Sequence, residues 1–367
     1  MRHWGEAHGW RGADPYDALN SPFSPVLTLG TRFGRQVLTQ AVKRSPINLR
    51  ALLRIKAEWN AKAIGLVASA YAHLAAAGDT SAAAQANRWL AWLESNHSGD
   101  ETGLAWGYPF DVQTRFFRYA RYTPNTIATT FVAQAFLDGA DLLGEDRWRA
   151  PADSAASFLV SRMLVRDGGG EYFRYVATEN ELVHNANALA CAVLGRVGRG
   201  EEAARPLATT LNAQNADGSW RYAEGPHGNW IDNFHTGYVL QSIAQCVGVQ
   251  SGIEERLTRG VEYWRRELFQ EDATPRPSPG RTYPIDAHDY ATAIDTWLAV
   301  SATQPHAREQ ARQLAQLLVD RMLDRRGFVW FQQHRYWTTK TPFVRWTTAP
   351  SFRALAALQA FDRLTDT

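Results

Sequence analysis

Residues 184–195 read HNANALACAVLG, and residues 129–140 read TTFVAQAFLDGA. Both stretches have helical spacing with small or apolar side chains on nearly every side, so each predicts a helix that is buried between neighbours. Similar stretches, each preceded by polar residues, recur along the chain at intervals of 48 to 65 residues. The six predicted inner helices cover residues 59–78, 124–144, 181–198, 232–248, 286–303 and 346–361.

Segments of a second kind alternate with these and carry charged residues on one face and Leu, Trp or Ala on the other. These predicted outer helices cover residues 35–54, 81–96, 146–165, 201–213, 254–270 and 306–323. Six buried and six amphipathic helices in alternation predict an all-α fold, an (α/α)6 toroid with an inner and an outer ring. No linker divides the chain, so we expect one toroid domain over 31–367, with residues 1–30 as a segment covering its mouth or rim.

The connections from outer to inner helices are long and rich in aromatic residues, whereas the turns from inner to outer helices are short and marked by Gly. In a toroid, all the long connections emerge at the end of the ring where the inner helices begin. Long loops on one face of a rigid scaffold are a common place for function. The sequence therefore predicts a site at this mouth.

Composition excludes several classes of function. The chain has 39 Lys and Arg against 37 Asp and Glu, a balance that argues against nucleic acid or an anionic membrane as the partner. No run of 18 apolar residues or N-terminal leader pattern occurs, so we expect no integral membrane segment and a cytoplasmic location. Two cysteines, no metal-ligand spacing, no Walker loop and no G-x-G-x-x-G predict neither a metal nor a cofactor.

Polar residues three positions apart begin three of the predicted inner helices, and such pairs share a helix face. We expect them to meet in one pocket at the mouth, which would be a candidate active site. The candidate catalytic residues are Asp232, His235, Asp286, His288 and Asp289. A structural alternative remains open, because Asp232 and Asp286 stand where helix N-caps occur and buried histidines are often structural.

The candidate substrate-binding residues are polar side chains at the inner-helix openings and aromatic side chains of the mouth loops, which suit the faces of sugar rings. The polar group is Asn60, Asn125, His184, Asn185, Asn187, Asn233 and Arg345; the aromatic group is Trp106, Tyr172, Trp220, Tyr222, Trp230, Tyr283 and Trp346. The same aromatic rings would suit a polyprenyl chain.

Two resemblances add to these patterns. The runs DPYDALNSP (14–22), DGSWRY (217–222), NWIDNFHTGYVLQSI (229–243) and PIDAHDYATAI (284–294) resemble the VpsJ-type polysaccharide-biosynthesis proteins. That resemblance implies a toroid of the general architecture of glycoside hydrolases, polysaccharide lyases and uronate epimerases. More weakly, QNADGSW (214–220) and DAHDYATAI (286–294) look like motifs of squalene-hopene and other class II terpene cyclases, although His288 stands where those have Asp.

Together these patterns favour an enzyme that performs acid and base chemistry on an oligo- or polysaccharide: hydrolysis, elimination or epimerisation at a uronate. For hydrolysis, Asp286 or Asp289 would be the acid and Asp232 the base or the nucleophile. For the other reactions, His235 or His288 would take the C5 proton, while the uronate carboxylate would be neutralised by Asn185, Asn187 or Arg345. A terpene-cyclase-like or prenyl-binding toroid and a non-catalytic saccharide-binding protein are the alternatives, and the oligomeric state stays open.

Overall fold

The computed structural model describes residues 1–114, 118–168, 170–249 and 252–365. Residues 115–117, part of the first predicted aromatic loop, lie outside the described residues. The helices are α1 (Arg2–Ala7), α2 (Ser24–Thr28), α3 (Arg32–Arg44), α4 (Ala61–Ala76), α5 (Ala82–Ser95), α6 (Thr126–Leu143), α7 (Arg149–Phe158), α8 (His184–Arg196), α9 (Gly200–Asn212), α10 (Asn233–Gln245), α11 (Ile253–Glu267), α12 (Ala287–Ala299), α13 (Ala307–Met322) and α14 (Ala349–Thr365).

Six of these helices form a closed inner ring. Following the chain, α4 packs against α6, α6 against α8, α8 against α10, α10 against α12 and α12 against α14, and α14 returns to α4. Helices α5, α7, α9, α11 and α13 lie outside, each packed on the inner helix that precedes it. The predicted all-α toroid is thereby confirmed.

Short antiparallel pairings accompany the loops at the mouth. The strands are β1 (Val112–Gln113), β2 (Arg118–Tyr119), β3 (Leu164–Asp167), β4 (Gly170–Phe173), β5 (Ile285–Asp286), β6 (Gln332–Gln333) and β7 (Thr338–Thr339). They pair as β1 with β2, β3 with β4, and β5–β6–β7. These small sheets hold the ends of long loops in place beside the inner-helix openings.

Small residues let the inner helices approach each other closely. A Cβ atom added to Gly237 of α10 would lie 2.8 Å from Cγ2 of Thr292 on α12, so only glycine fits at this contact. Most residues of α4, α6 and α8 are buried, including nearly all their alanines. The lack of a polar face in these helices therefore follows from their position between two neighbours and an outer helix.

The helix that corresponds to the predicted outer helix 35–54 is shorter than predicted and lies in a different place. Helix α3 ends at Arg44, because Pro46 disfavours the helical conformation at Ser45, which adopts an extended backbone. It packs on α2, on the 3-10 turn Asp17–Asn20 and on β1, and its side chains line the mouth. It is thus a cover over the mouth and not a member of the outer ring.

The N-terminal residues contact the outer side of the junction between α4 and α14. The indole of Trp10 stacks on Phe352 of α14, with ring centroids 5.1 Å apart, and meets Tyr71 of α4 edge-on at 6.4 Å. The hydroxyl of Tyr71 donates a hydrogen bond to Glu6 of α1 at 2.8 Å. The division of the chain at residue 30 stays a prediction.

Among the described helices, none combines the length and apolar character that crossing a lipid bilayer requires.

Candidate active site

A cavity of about 1100 Å³ opens at the end of the toroid where the inner helices begin. Its walls come from the inner-helix openings, the aromatic loops, helix α3 and the N-terminal segment. The residues that line the cavity include Tyr16, Lys43, Lys62, Asn185, Tyr222, Trp230, Phe234, His235, Tyr238, His288, Arg345 and Trp346. Seven of the sequence-predicted site residues are therefore brought together here: Asn185, Tyr222, Trp230, His235, His288, Arg345 and Trp346.

His235 and Asp232 form a hydrogen-bonded pair at the start of α10. One oxygen of Asp232 caps the helix by accepting from the backbone N–H of His235 at 3.0 Å, and the other lies 2.7 Å from Nδ1 of His235. The indole N–H of Trp230 donates to the same second oxygen at 3.1 Å. Capping and positioning are therefore both performed by Asp232, and this arrangement leaves Nε2 of His235 as the ring nitrogen available for chemistry.

His288, at the start of α12, is fixed through both ring nitrogens. Its Nδ1 lies 2.7 Å from the backbone carbonyl oxygen of Trp346, so Nδ1 carries the hydrogen, and Nε2 accepts from the hydroxyl of Tyr238 at 2.8 Å. Burial, followed by the nearby charge of Lys62, lowers the pKa of His288 well below its usual value. The ring is therefore neutral, and its Nε2 holds the hydroxyl of Tyr238 in place.

The amine of Lys62 is buried and has no ion-pair partner in the described chain. Its side chain lines the cavity although the residue is only 3% exposed, and its Nζ lies 3.8 Å from the ring centroid of Phe131 and 5.1 Å from that of Tyr238. Within the described ranges, no hydrogen bond or ion pair is found for this nitrogen. Burial and the charge of Arg345 lower its pKa well below the usual value for lysine. An anionic ligand in the cavity would stabilise the protonated amine and so offset the cost of burying its charge.

The predicted catalytic carboxylates lie behind the cavity wall. Along the part of the chain that the structure describes, no Asp or Glu lines the cavity. Asp286 caps α12 through the N–H of His288 at 2.9 Å, and its other oxygen accepts from the side chain of Gln332 at 2.6 Å. Asp289 is buried beside it, and burial together with the Asp286 charge raises the pKa of Asp289 well above its usual value. The sequence analysis placed both in the pocket; their oxygens are instead turned into the helix start and the protein interior.

Arg345 lines the cavity but is already neutralised. Its guanidinium makes a two-pronged contact with the carboxylate of Asp14, at 2.5 and 2.8 Å, and both side chains are buried. The predicted role of Arg345 as the partner of a substrate carboxylate does not fit this ion pair. The residue instead ties the N-terminal segment to the chain just before α14.

The cavity walls are aromatic near both histidines. Tyr222 and Trp230 stack on each other, with ring centroids 4.5 Å apart and planes 12° apart, and Tyr222 is also 4.5 Å from the ring of His235. Trp346 stacks on His288 at 4.8 Å. Such rings provide flat apolar surfaces for the faces of a sugar.

Three predicted binding residues face the outer ring. Asn187 accepts from the N–H of Phe173 at 2.9 Å and donates to the carbonyl of Pro206 at 2.7 Å. Asn233 donates to the carbonyl of Leu268 at 2.6 Å and accepts from the indole of Trp264 at 2.9 Å. His184 contacts Thr210 at 3.3 Å and Glu224 at 3.1 Å. These side chains join inner helices to outer helices or loops, so their placement in the pocket was wrong.

Two predicted binding residues, Asn60 and Asn125, are helix N-caps. Asn60 and Asn125 cap α4 and α6 by accepting from Lys62 N at 3.1 Å and Ala128 N at 2.9 Å.

The predicted loop aromatics outside the cavity also differ from expectation. Trp106 and Trp220 are buried plugs whose indoles donate to the carbonyls of Leu93 and Thr210, at 3.0 and 2.8 Å. Tyr172 is hydrogen-bonded to the carbonyl of Asn180, and Tyr283 is 40% exposed outside the cavity. The aromatic loops thus supply hairpin plugs as well as cavity walls.

The motif over residues 214–220 is structural. The amide of Gln214 donates to the carbonyls of Gly218 and Arg256, both at 2.9 Å, which joins the turn after α9 to α11. A Cβ atom on Gly218, whose φ is +96°, would lie 2.4 Å from the carbonyl oxygen of Arg259. The likeness to terpene cyclases in this motif therefore reflects helix packing.

Sequence reasoning did not select several cavity residues as site residues. Tyr238 follows His235 by three positions on α10, a spacing that could have identified it. Lys43 on α3 and Tyr16 in the N-terminal segment form a hydrogen bond at 2.9 Å across the mouth. No local signal identifies these two, because they reach the cavity only through the fold of residues 1–60.

No group of three or more His, Cys, Asp or Glu side chains within the described ranges is arranged to hold a metal ion.

Comparison with known proteins places the chain by its fold. No protein-family model and no curated protein matches it. Among solved structures it is similar to a GH76 α-mannanase of Bacteroides thetaiotaomicron, with a TM-score of 0.65 and 12% identity, covering 86% of this chain and 89% of that one. It is also similar to a sugar epimerase from a ruminal bacterium, with a TM-score of 0.60 and 12% identity, covering 84% of this chain and 90% of that one. A third similar structure is an unsaturated glucuronyl hydrolase specific for heparin, with a TM-score of 0.60 and 13% identity, covering 83% of this chain and 87% of that one.

These neighbours share the toroid and act on saccharides, as their names state. At such low identity the likeness concerns the fold. The VpsJ-type resemblance and the cytoplasmic location stay predictions.

Proposed function

We propose that this protein is an enzyme of polysaccharide metabolism that moves a proton at the carbon beside a carboxylate in a uronate-containing saccharide, with epimerisation or elimination as the outcome. One observation carries the proposal: His235 and His288, each with its Nδ1 fixed by a hydrogen bond, line one aromatic cavity in which the described walls contain no carboxylate. The names of the structural neighbours, which include a sugar epimerase, agree with a saccharide substrate.

The first step uses His235 as the base. Its Nε2 accepts the C5 proton, the C5–H bond breaks, and the electron pair moves into the substrate carboxylate to form an enolate. Asp232, bound to Nδ1, offsets the positive charge that develops on the ring. Lys62, whose side chain lines the cavity, would supply the positive charge opposite the enolate, because a bound carboxylate favours the protonated form of its amine.

The second step decides the product. For epimerisation, the hydroxyl of Tyr238 donates its proton to C5 from the opposite face, and solvent then reprotonates Tyr238 and takes the proton from His235. Burial raises the pKa of Tyr238, so its hydroxyl is protonated before this step. For elimination, the C4–O bond breaks and the leaving oxygen takes the hydroxyl proton of Tyr238. Asn185 also lines the cavity, and its side-chain amide offers a polar group for a sugar hydroxyl.

Hydrolysis is the second candidate, and the names of the mannanase and the glucuronyl hydrolase favour it. It needs two carboxyl groups on either side of the scissile bond. Asp232 and Asp286 would have to leave their capping positions to provide them, which weakens this candidate. A terpene cyclase would likewise need Asp286 and Asp289 in the cavity.

The experiment is proton exchange in D2O with a panel of uronate-containing oligosaccharides, followed by NMR and mass spectrometry. Epimerisation is expected to place deuterium at C5 without chain cleavage, whereas elimination produces an unsaturated uronate. New reducing ends, without deuterium at C5 and without an unsaturated uronate, would support hydrolysis and contradict the proposal. Binding without any chemical change would favour the saccharide-binding alternative.

A second prediction concerns Lys62. Lys62→Met keeps the apolar stem on Phe131 but removes a buried charge, so we expect the free energy of unfolding to rise by about 1 kcal/mol. The same change should raise KM for the uronate substrate at least tenfold, because the carboxylate loses its counter-charge. Urea denaturation and steady-state kinetics measure the two effects. A variant with lower stability and unchanged KM would show that Lys62 has a packing role only. The matched control is Lys56→Met, since Lys56 is exposed outside the cavity.

A further inference from the structure

Exposed apolar side chains concentrate in one short part of the chain. Eight of the fifteen large hydrophobic residues that are exposed in the described ranges lie between Phe23 and Leu52. Five of them form what we call the rim patch: Val26, Leu27, Leu29, Phe33 and Val37. They belong to α2, α3 and the turn between these helices, which pack against each other. Large exposed apolar patches usually mark an interaction site.

Helix α3 has an apolar side that the toroid does not cover. Of its 13 residues, only Thr39 and Val42 are buried. Phe33 is 76% exposed, Val37 one turn later is 49% exposed, and Leu29 just before the helix is 83% exposed. The helix is amphipathic, and although Val42 packs into the protein, Phe33 and Val37 remain exposed. Something outside this chain is therefore needed to bury them.

The chain segment that carries the rim patch has charged residues of one sign. Residues 18–57 contain seven Lys and Arg and no Asp or Glu, while the rest of the chain has 32 Lys and Arg against 37 Asp and Glu. Arg44, Arg54 and Lys56 of this segment are exposed. The balanced charge of the whole chain, which argued against an anionic membrane, hides this local excess. Exposed apolar side chains among basic residues are typical of helices that lie in the interface of an anionic bilayer.

We propose that the rim patch and the basic residues around it dock this protein on the surface of an anionic phospholipid bilayer. A second copy of the chain fits less well, because two basic segments of this kind would repel each other. Phe33 and Val37 also line the cavity, so docking brings the mouth to the lipid surface. A saccharide held at that surface could then enter directly. This proposal does not depend on the reaction in the cavity.

The test is co-sedimentation of the full chain with vesicles of phosphatidylcholine containing phosphatidylglycerol, compared with vesicles of phosphatidylcholine alone. We expect binding at least tenfold tighter to the anionic vesicles, weakened by salt. The triple variant Leu29→Ser, Phe33→Ser, Val37→Ser should lose at least tenfold in binding. The charge-reversal variant Arg44→Glu, Lys56→Glu should lose the preference for anionic lipid.

The matched control is the double variant Val247→Ser, Val319→Ser, which removes exposed valines from the turn after α10 and from outer helix α13. It should bind vesicles as the unmodified chain does. Equal binding by the triple variant, or no binding by the unmodified chain, would overturn the proposal. Light scattering gives a third outcome: a dimer that the triple variant converts to a monomer would assign the rim patch to a second copy instead.

Discussion

Replacing His235 by Gln is expected to lower the rate of C5 proton transfer by about 10²- to 10⁴-fold, the usual contribution of a positioned general base. Gln keeps a polar side chain of similar length but cannot accept and release the proton. His235 is at the cavity edge and partly exposed, so the fold should survive. The measurement is the rate of solvent deuterium incorporation, with circular dichroism and thermal unfolding as the check on folding.

Two further variants separate a catalytic from a structural role. Asp232→Asn keeps an N-cap residue but removes the carboxylate that contacts Nδ1, so kcat should fall while KM for the saccharide stays near its original value. The matched control His306→Gln changes an exposed histidine far from the cavity and should leave the rate unaltered. Unchanged deuterium incorporation in His235→Gln would remove this residue from the mechanism.

Replacing Arg345 by Met is expected to lower the free energy of unfolding by about 3–5 kcal/mol, the cost of leaving one member of a buried ion pair alone. The remaining member is Asp14, which would stay buried without a counter-charge, and only one of its oxygens would keep a hydrogen bond, from the backbone N–H of Tyr16 at 3.0 Å. Since the pair joins the N-terminal segment to the residues before α14, the loss should also loosen the cover over the mouth. Urea denaturation measures the stability, and hydrogen exchange over residues 10–20 measures the loosening.

The control for this pair is Arg149→Met, which breaks two exposed ion pairs, with Asp141 and Asp146. Exposed ion pairs contribute little to stability, so this change should be small. If Arg345→Met does not fold, Asp14→Asn is the milder variant, and it should still lose more stability than Arg149→Met. Equal effects of Asp14→Asn and Arg149→Met would contradict the importance of the buried pair.

The ring of helices was predictable because its signal is repeated along the chain. Six nearly apolar helices cannot be exposed to water, and the five amphipathic helices α5, α7, α9, α11 and α13 can cover them on one side only. The sixth amphipathic segment was misplaced, because a basic helix with two buried residues looks the same in sequence whether it covers a ring or a mouth. Its place was decided by contacts with α2, β1 and the turn Asp17–Asn20.

The candidate site was predictable in part. The positions of His235, His288 and Trp346 at inner-helix openings follow from the repeat, and all three line the cavity. His184 and Asn187 stand at an equivalent opening but face the outer ring. An inner helix is apolar on almost every side, so periodicity does not show which side points to the axis.

The sequence by itself determined the class of fold, the end of the ring where the site lies and the residue types available there. Those properties depend on local periodicity and loop length, which a single chain segment carries. Only the tertiary structure decided that Asp286 and Asp289 turn inward, that Asp14 neutralises Arg345 and that Lys62 has no counter-ion in the described chain. These outcomes depend on the rotation of each helix and on contacts between residues far apart in sequence, such as Asp14 with Arg345. The packing of the whole ring determines these rotations and contacts, because the partners of a buried polar group come from other segments of the chain.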